Sequence, residues 1–397
     1  MVPAKSGRHD VTERLITPSS ITAWLDCTHF LTLKHEVEDG LREKPSGGMG
    51  SFAQLLMDKG TEHETACLAE YEAQGKSIFR VPGREYPETF AAWVKRVGDP
   101  FADGHDVIYQ MPFVHDDIRG IADFLLRVVD DDGVVTYEPV DAKLARNEAK
   151  PGHVLQLCFY ADAIEASTGR RPARMHLWLG SGTVETLAVD DFGAYWRRLR
   201  GQLAAVLDAP GDGSTTKPVR CDHCAFCEFS EVCDAEWRAA DSLLFVADLR
   251  SSERAALEAG GVATLTALAA HADPVEGLRV ERQHRVRVQA ELQLEARADV
   301  EAPPPFLLIE PGDDATWGHG FDQLPAPDDG DVFLDFEGHP FWRADRGLFF
   351  LFGLIERESS GEWVYRAWWA HSIEEEGAAA KSLIDYLASR RASYPDM

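Results

Sequence analysis

Three groups of residues in this chain have types and spacings that could do chemistry. In "YEPVDAKLAR", Asp141 and Lys143 stand two apart. In a strand such residues point to the same face, so a carboxylate and an ammonium project together. Asp123, in the nearby "GIADFLL", can approach from a neighbouring strand. Two carboxylates can hold a hard divalent ion such as Mg²⁺ or Mn²⁺ through oxygen. Such an ion lowers the pKa of a bound water and stabilises charge building on a phosphate, and the lysine can position the water or neutralise that charge. An Asp-x-Lys pair alone is equally a solvated strand face. The second group is "CDHCAFCEFSEVC", which carries Cys221, Cys224, Cys227 and Cys233, four of the seven cysteines. These four could close a zinc site by themselves, or three of them could await a distant fourth ligand. The third is "DVFLDFEGHPF", an apolar strand pattern with Asp335 and Glu337 on one face.

The surrounding segments must position these groups. "TPSSITAWLDCTHFLTLKH" reads as a helix start, with Thr17 as cap, Pro18 at the first helical position, and Cys27 on the helix. "SFAQLLMDKGTEHETACLAEYEAQG" is a second helical pattern, carrying His63 and Glu64, after a Gly-rich break at 44–50. Residues 106–146 alternate short β-rich runs with turn signals at Asp116-Asp117 and Asp131 to Gly133, which predicts consecutive antiparallel strands. "HVLQLCFYADAIEASTG" returns to helical spacing and carries Gln156 and Tyr160, four apart and so on one helix face. Two more strands and an arginine-rich helix over 190–208 lead to the cysteines. Cys67 and Cys158 sit in helical patterns and read as buried small hydrophobes.

Bulk properties narrow the classes. The chain has 397 residues, 45% of them hydrophobic, and a net charge of −27. That length allows two or three domains with cores of their own. No apolar run is long enough to cross a bilayer, and residues 1–20 lack a signal-peptide core, so the expected location is the cytoplasm, with no membrane partner. In that reducing compartment clustered cysteines point to metal or redox chemistry rather than disulfides. The charge excludes a protein that coats nucleic acid through a broadly basic surface, though not an enzyme that grips a few phosphates in a local basic groove.

Taken in order, Gly60-x-x-His63-Glu64, Gly120-x-x-Asp123, Asp141-x-Lys143 and Gln156-x-x-x-Tyr160 resemble the RecB-type nucleases of the PD-(D/E)XK superfamily. The resemblance spans about 25–235. It implies an α/β fold with a mixed sheet and a restriction-endonuclease-like core. It also implies His63, Asp123 and Asp141 as Mg²⁺ or Mn²⁺ ligands, Lys143 as the catalytic lysine, and Gln156 and Tyr160 as a helix motif supporting the site and the DNA. The carboxylate before the lysine is Asp rather than the commoner Glu, which the superfamily accepts. One branch of these nucleases carries a [4Fe–4S] cluster held by one cysteine before the core and three after it, spaced C-x2-C-x5-C. Cys27 and Cys224, Cys227 and Cys233 fit that pattern and leave Cys221 over. The alternative is Zn²⁺ on Cys221, Cys224, Cys227 and Cys233.

Beyond the cysteines, 247–271 contains two short helical patterns around Gly260-Gly261, similar to half of a helix-hairpin-helix element, which a plain helical hairpin explains nearly as well. Residues 274–330 are rich in Pro, Asp and Glu, and "PFLLIE" is a candidate packed strand. The pattern from 331 on, a strand with Asp-x-Glu, two strands and a helix, resembles the start of an RNase H-like exonuclease of the DEDD type. Asp335 and Glu337 would then be its first metal carboxylates, in a site left incomplete because later acidic elements are missing. The joined arrangement resembles the RecB-like nuclease family whose members often continue into a helicase, but no Walker A pattern occurs here. The expected organisation is therefore a nuclease domain over 1–236, a helical region over 237–300, a connector over 301–330 and a truncated RNase H-like segment over 331–397. The expected activity is metal-dependent hydrolysis of DNA, in single strands or at ends, with a separately encoded helicase as a possible partner. The competing class is a non-catalytic, cluster-stabilised DNA-binding or assembly subunit.

Overall fold

The computed structural model describes residues 15–45, 51–130, 132–148, 150–207, 216–299, 301–308 and 324–397. In chain order its first elements are α1 (Pro18–Asp26), α2 (His29–Glu38), α3 (Ser51–Ala73), β1 (Ile78–Arg80), α4 (Phe90–Val97), β2 (Val107–His115), β3 (Ile118–Val129) and β4 (Val135–Lys143). Next come α5 (Pro151–Thr168), β5 (Arg174–Leu179), β6 (Val184–Ala188), α6 (Val189–Leu207), α7 (Ser230–Ala239), α8 (Ser251–Ala259), α9 (Leu265–Ala270) and α10 (Val280–Ala298). The last are β7 (Val332–His339), β8 (Leu348–Arg357), β9 (Trp363–Trp369) and α11 (Ile373–Ser393). The chain divides into two compact units, one of Met1–Leu25, Gly50–Gly211 and Ala326–Met397, the other of Asp26–Met49 and Asp212–Pro325.

The first unit is built on a six-stranded sheet in the order β1-β2-β3-β4-β5-β6. β2, β3 and β4 form an antiparallel meander, and β4 pairs in parallel with β5. That parallel step requires a crossover, and α5 supplies it. The mixed α/β architecture is the one the sequence predicts. The turn between β2 and β3 is Asp116-Asp117, with φ of 40° and 42°. Both are positive, as a tight hairpin matching the strand twist demands, and Asp tolerates that region better than most residues. α3 packs its Cys67, Leu68 and Tyr71 against Val107, Phe124 and Val140 of the sheet. α5 is almost wholly buried along one side, including Leu157, Phe159, Tyr160 and Ile164.

A second, three-stranded antiparallel sheet in the order β7-β8-β9 belongs to the same unit, with α11 closing over Phe352 and Leu354. Arg146, three residues past Lys143, ties the two sheets together. Its Nε donates to the Ala344 carbonyl at 2.9 Å and a terminal nitrogen donates to the Pro340 carbonyl at 2.5 Å. Gly180 fits under the same loop, because a Cβ there would lie 2.9 Å from the Ala344 oxygen.

The second unit has its own core. Leu257, Val262, Leu265, Leu268, Val275, Val286 and Ala290 bring α8, α9 and α10 together. The hairpin between α8 and α9 turns at Gly260-Gly261, where Gly261 has φ of 82°. Two expectations need correction. Cys27 lies just past α1, not within it, since the single helix expected over 17–35 breaks at Cys27-Thr28 into α1 and α2. "PFLLIE" forms no strand among its described residues, where Phe306, Leu307 and Leu308 are exposed at 78%, 61% and 71%. An apolar triplet makes a strand only when a neighbouring edge and a core receive it. Parts of the Gly-rich break, the Asp131 turn and the connector lie outside the described residues.

Candidate active site and cysteine cluster

Asp123 on β3 and Asp141 and Lys143 on β4 come together because Phe124 pairs with Val140, placing the two motif segments side by side. Asp123 Oδ2 accepts the Ala142 amide at 2.9 Å. Lys143 Nζ lies 2.8 Å from Asp141 Oδ2. Asp141 is 0% exposed. That ammonium engages Oδ2, and Asp141 Oδ1 has no hydrogen-bond partner among the described residues. Buried carboxylate oxygens are normally satisfied, and one left open in this way suits a cation.

The electrostatics follow from the crowding. Burial and then the Asp141 charge push the Asp123 carboxyl well above the ordinary carboxylate range, with Lys143 opposing and Glu64 adding to the shift. Burial alone would pull the Lys143 ammonium down, but Asp141 and Asp123 outweigh it and leave Lys143 above its usual value. Two carboxylates sharing one partly exposed ammonium carry an excess negative charge, which is what attracts a divalent ion.

The helix motif supports the strand that carries Asp123. Gln156 Nε2 donates to the Tyr160 hydroxyl at 3.3 Å, and that hydroxyl donates to the Ile121 carbonyl at 2.5 Å. Tyr160 is only 2% exposed. Gly120 allows this approach, since a Cβ there would meet Phe159 Cε1 at 2.9 Å and Tyr160 Cε1 at 3.0 Å.

α3 reaches the site differently from the expectation. His63 Nε2 lies 3.0 Å from the Trp178 carbonyl and 3.8 Å from Cys67 Sγ, so the ring faces β5. Its neighbour Glu64 is the α3 residue whose charge acts on Asp123 and Lys143. Glu64 accepts a hydrogen bond from Gln110. Gln110 has φ of 61° and falls between the pairs Tyr109–Phe124 and Met111–Ala122, opposite Asp123. A non-glycine residue held there costs backbone strain, and such residues cluster at functional sites. His153, on the first turn of α5, is a further neighbour that the motif reading missed. Burial, then Lys143, lowers it to about 4, with Asp141 opposing and Lys150 adding to the fall. The signal for it was its place three residues before Gln156, at the start of the helix that follows the lysine strand.

In the second unit, the cysteines gather around the start of α2. Phe30 packs on His223 and Phe229 with ring centroids 5.7 and 5.9 Å apart. All seven cysteines are free thiols. Cys221 Sγ lies 3.9 Å from Cys224 Sγ. Burial raises Cys227, and the charges of Cys224 and Cys27 add to it. Burial raises Cys233 to about 12, with Glu236, Cys227, Cys27 and Cys224 adding. Cys27 thus lies close enough for its charge to act on both Cys227 and Cys233, although they stand 200 and 206 positions further along the sequence. Among the described residues no group of three or more His, Cys, Asp or Glu side chains is placed to hold a metal ion, either at these cysteines or at the carboxylates. Asp335 and Glu337 are exposed on β7, opposite Gly353 and Leu351. Asp335 Oδ1 accepts the Phe336 amide at 3.0 Å.

A mixed sheet with two carboxylates and a lysine on adjacent central strands, backed by a glutamine and a tyrosine on the crossover helix, defines a metal-dependent nuclease core. Residues 16–234 match the PD-(D/E)XK nuclease superfamily, and with more than half of its length inside that match the chain belongs to it. No curated protein matches the chain. No helix among the described residues is long and apolar enough to cross a membrane.

Proposed function

We propose that the chain is a RecB-type, Mg²⁺- or Mn²⁺-dependent deoxyribonuclease that hydrolyses phosphodiester bonds in single-stranded DNA or at DNA ends. The observation that carries this reading is the Asp123–Asp141–Lys143 set, in which Asp141 is buried, meets the Lys143 ammonium through Oδ2 at 2.8 Å and leaves Oδ1 without a hydrogen-bond partner among the described residues. Asp123 and Asp141 would hold the ion, with the substrate phosphate completing its shell, as Mg²⁺ sites built on one or two carboxylates commonly do. Glu64 adds negative charge from α3, and His63 would join the set once its ring leaves the Trp178 carbonyl. A bound divalent ion would polarise the phosphate and supply an activated water. Lys143 places its ammonium where negative charge develops on the phosphate, and in a buried site that charge is worth far more than in water. Tyr160, whose hydroxyl accepts from Gln156, holds the Ile121 carbonyl and so fixes the strand that carries Asp123.

For the second unit the proposal is a [4Fe–4S] cluster on Cys27, Cys224, Cys227 and Cys233, supported by the C-x2-C-x5-C spacing and by Cys27 lying near Cys227 and Cys233. Fe–S clusters are held by four thiolates, and here they would bind the turn before α2 to the segment that leads into α7 and to α7 itself. The segment 331–397 is read as an RNase H-like accessory, and a separately encoded helicase would supply single strands. The test is Mn²⁺-dependent degradation of labelled single-stranded DNA by anaerobically purified protein. Asp141→Ala and Lys143→Ala should each abolish it, and Asp335→Ala with Glu337→Ala should leave it intact. Cleavage at the wild-type rate by either of the first two variants would remove the assignment.

A further inference from the structure

A groove of about 520 Å³ runs beside the site, walled by Arg84, Phe90, Arg119, Ile121, Gln156 and Tyr160. Two of its walls belong to the proposed machinery. Tyr160, itself held by Gln156, bonds the Ile121 carbonyl, and Ile121 stands two residues before Asp123 on β3. At ~3.3 Å per residue the groove therefore ends about 7 Å along the strand from that carboxylate.

The other walls carry chemistry that the hydrolytic site leaves unused. The Arg119 guanidinium lies 5.3 Å over the Phe90 ring. Arg84 is exposed on the loop before α4. That loop is pinned. Arg96 donates to the Gly83 carbonyl at 2.8 Å and pairs with Glu88 at 2.9 Å, and the Trp93 indole donates to the Pro82 carbonyl at 2.8 Å. In a chain with 67 acidic and 40 basic residues, most well-placed arginines find a carboxylate, as Arg96 and Arg200 do. Among the described residues neither Arg84 nor Arg119 has an ion-pair partner. Two guanidinium groups without a direct ion-pair partner lining one groove, although the Arg84 charge also acts on Glu88, form a local attraction for an anionic chain on a protein of net charge −27.

We propose that this groove seats single-stranded DNA on its way to the carboxylates, with Arg84 and Arg119 on successive phosphates and a base against Phe90. An aromatic face accepts a base only when that base is unstacked, and the acidic remainder of the surface repels the denser charge of a duplex. The proposal rests on the nuclease reading for the direction of the strand, but its binding part stands apart from cleavage.

The experiment measures anisotropy of a short labelled oligothymidylate against the full chain in EDTA, over a range of salt, for wild type, Arg84→Gln/Arg119→Gln and Phe90→Leu. Each phosphate contact on a single strand contributes about 0.7 to the slope of log K against log salt, so the double variant should lose about 1.4. Phe90→Leu keeps an apolar residue at the start of α4. It should weaken binding by about fivefold or more at unchanged slope, from lost base stacking. Duplex binding should change little in either variant, and melting temperatures should match wild type. An unchanged slope in the double variant, or a duplex that suffers as much as the single strand, would overturn the proposal. Intact Mn²⁺-dependent cleavage with an unchanged slope would refute the groove and leave the nuclease standing. A shallower slope in a chain that never cleaves DNA would refute the nuclease and leave the groove.

Discussion

Replacing Asp123 by Asn should make the metal-free protein more stable while destroying its activity. The register that pairs Phe124 with Val140 sets Asp123 opposite Asp141, and directly opposed positions have Cβ atoms about 5 Å apart. At an effective dielectric constant of 20, two charges at that distance repel by roughly 3 kcal/mol. The attraction of Lys143 for both carboxylates offsets part of this. Asn keeps an oxygen to accept the Ala142 amide, now at 2.9 Å, so that hydrogen bond need not be lost. The net gain in metal-free protein should be about 1–2 kcal/mol, or roughly 2–8 °C in melting temperature at 2–4 °C per kcal/mol. Lys143→Met should do the opposite. It leaves Asp141, 0% exposed, without its counter-ion, and losing one partner of a buried pair costs about 3–5 kcal/mol. Thermal melts in EDTA and in Mn²⁺ separate the effects. Wild type should gain stability from the ion, by about 2.7 kcal/mol at a hundredfold excess over its dissociation constant, and Asp123→Asn should not. The reasoning fails if Asp123→Asn melts below wild type in EDTA, or if it keeps the full Mn²⁺ shift.

Gly120→Ala should cost about 1–3 kcal/mol, because the new methyl meets the Phe159 and Tyr160 rings at 2.9 and 3.0 Å; a melting temperature equal to wild type would show that the rings can retreat. Anaerobically purified protein should be brown and contain iron, and Cys27→Ala should bleach it; a colourless protein with one zinc, sensitive to Cys221→Ala and indifferent to Cys27→Ala, would replace the iron–sulfur reading. The helical core of the second unit should weaken in acid. Hydrogen bonding to Arg282 holds Glu253 at about 2 against an ordinary 4.5, so its contribution is complete above pH 4.5 and is lost as pH falls toward 2. Urea melts of wild type and Glu253→Gln should therefore converge over that range and differ at neutral pH, and a constant difference down to pH 2 would contradict the ion pair.

The strand part of the site was legible in the sequence because its period is simple. Asp141 and Lys143 two apart, with Asp123 on the previous strand of a meander, fix one another's positions as soon as the hairpin forms. The helix part was not. Successive residues on α3 point about 100° apart, so "HE" names two candidates, and only the folded packing sets the His63 ring on the Trp178 carbonyl and brings the Glu64 charge to bear on Asp123 and Lys143. Gln110 was invisible for a related reason, since nothing in "VIYQMPF" announces a positive φ in mid-strand. The groove had no motif either. Arg84, Phe90 and Arg119 come from a loop, a helix start and a strand, and they meet only once α4 has folded back on β2.

The Arg146 latch has a consequence in time. Every group of the proposed metal site lies at or before Tyr160, whereas the carbonyls that Arg146 holds belong to residues 340–344. At 5–20 residues per second, a growing chain spends about 10–40 s between finishing the first and exposing the second. The meander, built from local contacts, closes in far less than that. During synthesis the carboxylate site is therefore assembled first, and the loop that later braces the end of its lysine strand arrives as a late clasp on a structure already formed.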